Sequence, residues 1–218
     1  MKKNIGKILE RKGPLAENEV KDLLNTYEIR TTKYKVVNRL EDLDNLGLSF
    51  PVALKVCSSK ILHKTDVGGV ELGIENMDEL ERTFKEFKIK FPKENLLVDQ
   101  MEKKGVEIII GLVQDPTFGL SIMYGIGGIY TELYRDVTFR VIPIDRYDAK
   151  EMIEEIRGKK LLEGFRNIKA NKQLVIELLL KVSKIGQELI EHVDQMDLNP
   201  VFVYEDDLCV VDAKLILK

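Results

Sequence analysis

Apolar residues in this chain recur at two spacings, and each spacing predicts a different kind of element. Near the start of the chain, Val20, Leu24 and Tyr27 recur every three or four positions, which places them on one face of a helix. The longest pattern of this kind lies late in the chain and supplies a broad apolar face. Helices are predicted over residues 17–27, 39–46, 78–88, 149–156 and 171–192.

Short apolar runs bounded by turn residues predict the strands. The run from Pro51 to Val56 is typical of a buried strand, although Lys55 places one charge inside it. A turn rich in Pro and Gly at 115–119 joins two further strands directly. Strands are predicted over residues 32–37, 51–56, 70–74, 96–100, 106–113, 120–124, 139–142, 196–204 and 208–217.

The order of these elements favours an α+β fold over a regular array of alternating strands and helices, because tight turns join several of the strands. The 218 residues are enough for one large domain or for two small lobes that share a cleft. The sequence contains no internal repeat, low-complexity tract or long linker. We therefore expect a single domain over residues 1–218, with a hinge near 93–100 between a first lobe of about 20–98 and a second lobe of about 99–218, which the N-terminal segment can join.

Composition narrows the kinds of partner. Apolar residues form 44% and charged residues 33% of the chain, which is typical of a globular protein with a strongly charged surface. The net charge of -3 gives no reason to expect nucleic acid or an anionic membrane as a partner. No run approaches the roughly 20 apolar residues of a membrane helix. Residues 1–7 lack the apolar region of a secretion signal, so we expect a cytoplasmic protein.

The cysteines and the charged residues give two smaller indications. Cys57 and Cys209 are far apart, and each has a valine beside it, which is typical of reduced core residues rather than of a disulfide or a metal pair. The chain is rich in Lys and Glu and has no Trp, a composition mildly typical of proteins from hot environments.

The first candidate site combines Lys55 with the loop that follows it. A buried charge without a partner costs several kcal/mol, so Lys55 either extends to the strand end or faces a cleft and pairs with an anion. Residues 58–70 contain hydroxyls, lysines, a histidine and adjacent glycines, whose N–H groups can turn toward a phosphate. Such loops also occur without a ligand, and the Gly-Lys-Ser/Thr order of a Walker A loop is absent.

His63 lies inside this loop. The other histidine, His192, lies near the end of a predicted helix and is expected to be a surface or helix-end cation. No Cys or His at a suitable spacing supports a metal-binding role for His63. From the residues alone, His63 is either a nucleophile or phosphate-neutralising group, or a solvated hydrogen-bond donor.

The glycines at 125–128 follow a strand, but Tyr130 breaks the G-x-G-x-x-G pattern of dinucleotide-binding proteins. These glycines are better interpreted as a tight turn or a close approach of the backbone. Downstream, Glu132, Asp136 and Arg140 lie within one short stretch, for which a surface charge network is the simplest interpretation.

The last two strands carry polar groups that suit a metal ion. Asp197 and Asn199 share a face because strand side chains alternate with a period of two. A turn of two or four residues would put Asp212 on that face, diagonal to Asn199, whereas a three-residue turn would put it on the other face. Carboxylate and carboxamide oxygens suit Mg²⁺ held between a protein and nucleotide phosphates. The alternative is that Asp197 or Asn199 only caps a turn before Pro200.

Several segments, in order along the chain, carry a resemblance to a known family. They are Pro-Val-Ala-Leu-Lys-Val at 51–56, Ile-Leu-His-Lys-Thr-Asp-Val-Gly-Gly-Val at 61–70, Glu-Ile-Ile-Ile-Gly-Leu-Val-Gln-Asp-Pro-Thr-Phe-Gly at 107–119, the stretch 124–143 beginning Tyr-Gly-Ile-Gly-Gly-Ile, and Asp-Leu-Asn-Pro at 197–200 with Val-Asp-Ala-Lys at 211–214. Together they resemble the beta subunit of archaeal ADP-forming acetyl-CoA synthetases, over nearly the whole chain and without large gaps.

The resemblance implies an ATP-grasp fold, in which two lobes with mixed and antiparallel sheets clasp a nucleotide. It implies reversible conversion of acyl-CoA, ADP and phosphate to acid, CoA and ATP through acyl phosphate and phosphohistidine. ATP or ADP would be a substrate and Mg²⁺ the cofactor. A separate alpha subunit would carry the CoA site and the main phosphohistidine in an alpha2beta2 heterotetramer. This chain alone should therefore not complete the reaction.

Nucleotide-binding roles are carried over from the family to individual residues. Lys55 resembles the lysine that contacts nucleotide phosphates, and Glu107 resembles the acid that holds the ribose hydroxyls. Arg140 resembles a residue that steadies phosphates. The hinge that lines the adenine would consist of Asp99, Gln100 and Met101.

The loop and the last two strands acquire roles in the same way. His63 occupies the position of a histidine that relays phosphate between the nucleotide and the alpha subunit on a mobile loop. Asn199 and Asp212 resemble the Mg²⁺ ligands. The phosphate-covering residues of the loop would be Ser58, Ser59, Lys64, Gly68 and Gly69.

Two other functions stay open at this point. One is a different ATP-grasp ligase, either a carboxylate–amine ligase or a succinyl-CoA-type subunit, although the chain ends at Lys218 without the additional C-terminal domain of succinyl-CoA ligase beta subunits. The other is a non-catalytic nucleotide-binding protein. The joint presence of Lys55, His63, Asn199 and Asp212 argues against that function.

Overall fold

The computed structural model describes residues 6, 8, 10–61, 63–128, 136–164 and 169–218. The chain forms two compact units. The larger unit contains Met1–Gly13, Val20–Thr31 and Lys104–Lys218, and the smaller unit contains Pro14–Glu19 and Thr32–Lys103. Helices and antiparallel sheets occur together, which confirms the α+β class. None of the helices formed by the described residues is long and apolar enough to cross a membrane.

In chain order, the elements are β1 (Gly13–Pro14), α1 (Glu17–Thr26), β2 (Tyr34–Val37), a 3-10 turn (Leu40–Leu43), β3 (Val52–Cys57), β4 (Val70–Ile74), α2 (Met77–Lys90), β5 (Asn95–Gln100), β6 (Val106–Asp115), β7 (Gly119–Ile126), β8 (Val137–Val141), α3 (Arg146–Glu155), a 3-10 helix (Arg157–Glu163), α4 (Lys172–Glu188), β9 (Val193–Val203), β10 (Leu208–Val210) and β11 (Ala213–Leu217).

The smaller unit is built on an antiparallel sheet in the order β2-β5-β3-β4, with α2 packed against one face. Asn76 begins α2 by accepting a hydrogen bond from the N–H of Glu79 at 3.0 Å. All of β3 is buried, as its apolar run predicts. Val52, Leu54 and Val56 join the core formed with α2, so Lys55 lies on the other face of the sheet.

The larger unit contains a sheet in the order β1-β11-β9-β6-β7-β8, with β10 paired to β9. Helices α3 and α4 cover one face of it. A Cβ atom at Gly186 of α4 would lie 2.6 Å from Ile142 Cδ1 and 3.1 Å from Leu112 Cδ1. Leu112 therefore points to the helices, and so do Ile108 and Ile110 by the period of two. We call the opposite side, which carries Gly111 and its register partners Met123 and Asp197, the open face.

One edge of the open face is apolar and exposed. Phe139 and Val141 on β8 are 49% and 50% exposed, and Phe118, in the turn before β7, is 69% exposed. Val113 on β6 lines the same groove. We call these four residues the apolar strip. The apolar strip includes part of β8, the last strand at this end of the sheet among the described elements.

Two of the predicted helices are shorter in the structure. The helix predicted over 39–46 is only a 3-10 turn, because the Asp42 carboxylate accepts from the N–H groups of Asn38 and Arg39 and closes the chain on itself. The helix predicted over 171–192 ends at Glu188, and Val193 already begins β9. The residues between Glu188 and Val193 form a turn, in which the His192 N–H donates to the Leu189 carbonyl at 2.8 Å.

The unit boundaries differ from the expected lobes. Residues 20–31 were expected in the first lobe, but they belong to the larger unit because hydrogen bonds join them to it. Tyr27 Oη donates to Glu188 at 2.6 Å, and Lys181 donates to the Glu28 carbonyl at 2.7 Å. The chain leaves the smaller unit after Lys103 rather than near residue 98.

Candidate functional site

Lys55 is buried in the smaller unit and pairs with two carboxylates. Its Nζ donates to Glu17 Oε1 at 2.9 Å and to Asp99 Oδ2 at 2.7 Å. The second oxygen of Glu17 accepts from Lys64 Nζ. The result is an alternating chain of charges, Lys64–Glu17–Lys55–Asp99, which we call the ion network. Such pairing resolves the cost of a charge inside an apolar strand.

Strand register explains why Asp99 meets Lys55. Lys55 pairs with Leu97 and Ala53 pairs with Asp99 on the neighbouring strand β5. Asp99 is therefore diagonal to Lys55 on the same face, within reach of a long side chain. Asp99 is only 2% exposed and serves as a counterion of Lys55. The anion that the sequence led us to expect beside Lys55 is thus a carboxylate of the protein itself.

The other two residues of the expected adenine hinge end β5. The Gln100 side chain accepts from the Ser49 N–H at 3.1 Å. Met101 is more exposed, and its Sδ accepts from the Gly73 N–H at 3.1 Å. These contacts fix both side chains against neighbouring loops of the smaller unit, and leave them near the point where the chain passes to the larger unit.

The loop after β3 is held at Lys64 and open at His63. Gly69 N–H donates to the Lys64 carbonyl at 2.7 Å, and the Gly69 carbonyl accepts from Val56 N–H at 2.8 Å. A Cβ atom at Gly69 would lie 3.0 Å from Val56 Cγ2 and 3.1 Å from the Lys64 carbonyl, so the turn requires glycine there. Gly68 has a φ of 58°, which also favours glycine.

His63 itself is solvent-exposed. Its side chain is 74% exposed, and Nδ1 lies 3.9 Å from Asp66 Oδ2. The hydroxyl of Ser58 accepts from the Lys60 N–H at 3.1 Å, and Ser59 is partly exposed. Leu62, within the same loop, lies outside the described residues. The His63 imidazole is therefore accessible from solvent.

Cys57 also lies on the Lys55 side of β3, but it is no nucleophile. Its Sγ donates to Asn18 Oδ1 at 3.1 Å. Burial raises the pKa of the Cys57 thiol, and a backbone hydrogen bond with Asn18 opposes this only in part. Both cysteines are buried and neither is in a disulfide, as the sequence predicts.

The predicted metal ligands of the larger unit lie together on the open face. The Asn199 N–H donates to the Asp212 carbonyl at 3.1 Å. The hairpin turn has four residues, since Val203 pairs with Leu208. The prediction that such a turn puts Asp212 on the face of Asn199 is thus confirmed, but Asp212 lies directly opposite Asn199 and not diagonal to it. The strand predicted over 208–217 is interrupted at Val211 and Asp212.

Asp197 adds a second carboxylate to this face. It pairs in register with Lys214 of β11. Burial raises the pKa of the Asp197 carboxyl, Lys214 opposes this effect, and the negative charge of Asp212 adds to it. Two carboxylates that raise each other's cost of ionisation, with a carboxamide beside them, fit a hard divalent cation. Among the described residues, no group of three or more His, Cys, Asp or Glu side chains could hold a metal.

Glu107 lies on the open face of β6, under the glycine turn that ends β7. The Gly127 N–H donates to the Glu107 carbonyl at 2.7 Å. A Cβ atom would lie 3.1 Å from Glu107 Cβ if added to Gly127, and 3.2 Å from Glu107 Oε2 if added to Gly128. The predicted close approach of the backbone at 125–128 is confirmed.

Arg140 is not brought to the open face. On β8 it pairs with Ile122 in register, which places it on the side covered by α3. There its guanidinium forms an ion pair with Glu155. Asp136 instead accepts from the N–H groups of Arg157 and Gly158, so Asp136 and Arg140 do not share the predicted charge network. Glu132, the third member, lies outside the described residues.

The structure thus gathers the predicted residues into two groups, one in each unit. Lys55 pairs directly with Asp99 and meets Lys64 through Glu17, a residue that the sequence did not indicate. The signal for Glu17 was weak, because an acidic residue at a helix start is usually explained by the helix dipole. In the larger unit, the open face carries Glu107, Asp197, Asn199, Asp212 and Lys214.

Comparison with known proteins identifies the family. The family model for the ATP-grasp domain matches residues 7–217. Over 216 residues the chain is 39% identical to the acetate–CoA ligase [ADP-forming] II subunit beta of Pyrococcus furiosus, covering 94% of this chain and 92% of that protein. It is also 39% identical over 206 residues to the acetate–CoA ligase [ADP-forming] II of Archaeoglobus fulgidus, covering 93% of this chain but 30% of that longer protein.

A solved structure has the same fold. The acetyl-coenzyme A synthetase 1 of Ca. Korarchaeum cryptofilum, in complex with coenzyme A and Mg-AMPPCP, has its phosphohistidine segment pointing towards the nucleotide binding site. It superimposes with a TM-score of 0.82 at 37% identity, covering 98% of this chain and 97% of that chain. The predicted ATP-grasp fold is confirmed, and the chain belongs to the ATP-grasp family, among the beta subunits of ADP-forming acetate–CoA ligases.

Proposed function

We propose that this chain is the nucleotide-binding phosphotransfer subunit of an ADP-forming acyl-CoA ligase. Together with an alpha subunit it converts acyl-CoA, ADP and phosphate to acid, CoA and ATP, reversibly. The observation that carries the proposal is the contrast between His63, which is 74% exposed, and Lys64, which is held beside Lys55 by Glu17. The phosphohistidine segment of the Korarchaeum enzyme supports a phosphotransfer role.

His63 carries the phosphoryl group through Nε2. The Asp66 carboxylate lies 3.9 Å away on the Nδ1 side of the ring, and we assign the reaction to the other nitrogen, Nε2. When ATP forms, a β-phosphate oxygen of ADP attacks the phosphorus, the P–N bond breaks, and neutral imidazole leaves. In the reverse direction Nε2 attacks the γ-phosphorus and ADP leaves.

The family resemblance gives nucleotide-binding roles to residues in each group. Lys55 and Lys64 neutralise phosphate charge, while hydroxyls and N–H groups of Ser58, Ser59, Gly68 and Gly69 add donors. Glu107 holds the ribose, and the segment from Asp99 to Met101 at the end of β5 and just after it lines the base. Arg140 stays a prediction from the family resemblance, because its guanidinium already pairs with Glu155 on the helix-covered face.

Mg²⁺ is held by Asn199 and Asp212, with Asp197 close by. When bound, the cation neutralises and orients the nucleotide phosphates, as phosphoryl transfer generally requires. The protein contributes the fixed backbone pairing of Asn199 with Asp212, which keeps both side chains on one face. Lys214 pairs with Asp197 in register on the neighbouring strand β11, and its positive charge reduces the net negative charge of this face.

Assembly with an alpha subunit follows from the relatives. The Pyrococcus protein is named a beta subunit, whereas the chain spans 30% of the longer Archaeoglobus protein. We propose that a separate alpha subunit supplies the CoA site and the main phosphohistidine, in a cytoplasmic alpha2beta2 heterotetramer of archaeal origin.

Reconstitution tests the function. The chain, purified together with its alpha partner, should form ATP from acetyl-CoA, ADP and phosphate. His63→Ala should abolish ATP formation, because the relay nitrogen is lost. His192→Ala is the matched control, since His192 is the other histidine and lies in the turn before β9.

Full activity of the His63→Ala complex would rule out the relay. Incubation of the isolated chain with radiolabelled Mg-ATP gives a separate measurement. We expect acid-labile, base-stable labelling of the wild-type chain and of His192→Ala, and none of His63→Ala.

A further inference from the structure

Glu17 joins two lysines that belong to different parts of the smaller unit. Its Oε1 accepts from Lys55 on β3, and its Oε2 accepts from Lys64 in the His63 loop. The side chains of Glu17, Lys55 and Lys64 are 3%, 5% and 11% exposed. The buried Glu17 carboxylate therefore connects the strand to the loop.

The ion pair between Glu17 and Lys64 lies next to the exposed His63. Side-chain exposure rises from 11% at Lys64 to 74% at His63, one residue away. The Lys64 carbonyl is also held, by the Gly69 N–H at 2.7 Å. The loop is thus fixed at Lys64 through both its backbone and its side chain, and His63 extends from this fixed point into solvent.

We propose that Glu17 is a positioning residue for phosphate transfer, which fixes the root of the His63 loop by holding Lys64 beside Lys55. This inference rests on the proposed function of His63 and Lys55. Asp99 pairs with Lys55 as well, so removal of the Glu17 charge leaves that counterion at Lys55 and removes the ion pair that joins Glu17 to Lys64. The effect should therefore fall on the loop more than on nucleotide affinity.

Charge explains why a glutamate is suited to this position. Hydrogen bonds between ionised partners are stronger than neutral ones, and each oxygen of one carboxylate can serve a different ammonium group. Lys64 is close enough to solvent to be hydrated when it leaves, whereas Lys55 is not. Breaking the hydrogen bond between Glu17 and Lys64 therefore costs less free energy than breaking the one between Glu17 and Lys55.

Glu17→Gln tests this proposal, because it keeps the side-chain shape and removes the charge. Without nucleotide, amide hydrogen exchange over residues 58–69 should become faster by about tenfold or more, the change expected for one charge-assisted hydrogen bond. The rate of His63 labelling by saturating Mg-ATP should fall by a similar factor. The dissociation constant for Mg-ADP should stay within about threefold, since Asp99 still orients Lys55.

A double-mutant cycle separates positioning from general stability. Lys64→Gln should reproduce the faster loop exchange, and Glu17→Gln with Lys64→Gln should add little to either single change, because both remove one contact. Lys64→Gln is also the fallback if Glu17→Gln fails to fold. Glu81→Gln is the control, as it removes a carboxylate that pairs with Lys85 on the surface of α2.

Unchanged loop exchange in both single variants, or fully additive effects in the double variant, would overturn the proposal. So would equal losses of labelling rate and nucleotide affinity, the pattern of general damage. If the wild-type chain is not labelled at His63 at all, the proposed function fails. The exchange measurement is made without nucleotide and still decides whether Glu17 holds the loop.

Discussion

Asn199 and Asp212 lie directly opposite each other, joined by a hydrogen bond from the Asn199 N–H to the Asp212 carbonyl at 3.1 Å. The pairing keeps two oxygen-bearing side chains on one face of the larger sheet. Asp197, on the same face, is close enough to Asp212 for their charges to interact. The relationship leads directly to a metal-dependence experiment.

Removal of Mg²⁺ with EDTA should weaken ADP binding, because the phosphates would meet the Asp197 and Asp212 carboxylates without a cation between them. Asp212→Asn should have a similar effect, weakening binding by about tenfold or more, or ~1.4 kcal/mol. The rise in melting temperature at fixed ADP, with and without Mg²⁺, measures it. Asp206→Asn, at an exposed position in the same hairpin turn, should retain the full Mg²⁺ dependence. An Asp212→Asn protein that also retains it would refute the assignment.

Lys55→Met should destabilise the folded protein by about 3–5 kcal/mol, because it leaves the carboxylates of Glu17 and Asp99 buried beside an apolar group. Urea unfolding measures the change. Lys85→Met is the control, since its surface pair with Glu81 at 3.6 Å should contribute no more than about 0.5 kcal/mol. A similar small effect for Lys55→Met would mean that the ion network is not a stabilising feature.

Arg140→Gln should reduce stability in a pH-dependent way. The hydrogen bond from Arg140, followed by that from Thr138, lowers the pKa of Glu155 below the ordinary 4.5. The pair therefore stabilises the fold above pH 4.5, and this stabilisation is lost as the pH falls through the lowered pKa. Because both side chains are partly exposed, the difference at pH 7 should be at most about 1 kcal/mol. Urea unfolding from pH 7 to pH 3 should show the two proteins converging in acid.

The same variant decides whether Arg140 also serves the nucleotide. If its guanidinium acts only on Glu155, the ADP-induced rise in melting temperature should be unchanged in Arg140→Gln. A loss of that rise would restore the phosphate-steadying role that the family resemblance predicts.

Gly69→Ala should destabilise the His63 loop. The added methyl group would lie 3.0 Å from Val56 Cγ2 and 3.1 Å from the Lys64 carbonyl, and neither the strand nor the backbone oxygen can move easily. We expect a loss of about 1–3 kcal/mol and slower labelling of His63. Gly6→Ala has nothing within 4 Å of the new atom and should leave both quantities unchanged. Wild-type behaviour of Gly69→Ala would show that the loop root shifts readily.

Elements with a strong local pattern were predictable from the sequence. The apolar run of β3 and the amphipathic pattern of α2 were placed correctly to within a few residues, because burial of one face decides both. The helix predicted over 39–46 was wrong because a single side chain, Asp42, closes a tighter turn there. Local competition of this kind leaves little trace in hydrophobic periodicity.

The site was less predictable, because its contacts join distant positions. Glu17 and Lys55 are 38 residues apart, and no local pattern connects them. Strand alternation put Asp197 and Asn199 on one face, but whether Asp212 shares that face depended on a turn length that the sequence left open. Strand alternation also does not reveal which face of β8 the helices cover. Arg140 lies on the covered face, where it pairs with Glu155, and the sequence could not predict this.

The apolar strip has a practical consequence for anyone who handles the chain by itself. Unpaired backbone groups of an outer strand are a template on which further strands can add, and exposed apolar side chains there favour such association. Phe139 and Val141 are each about half exposed there, and Phe118 more so. In concentrated solutions of the isolated chain, we therefore expect the folded protein to aggregate through this edge before it unfolds. Phe139→Lys or Val141→Lys should reduce this aggregation.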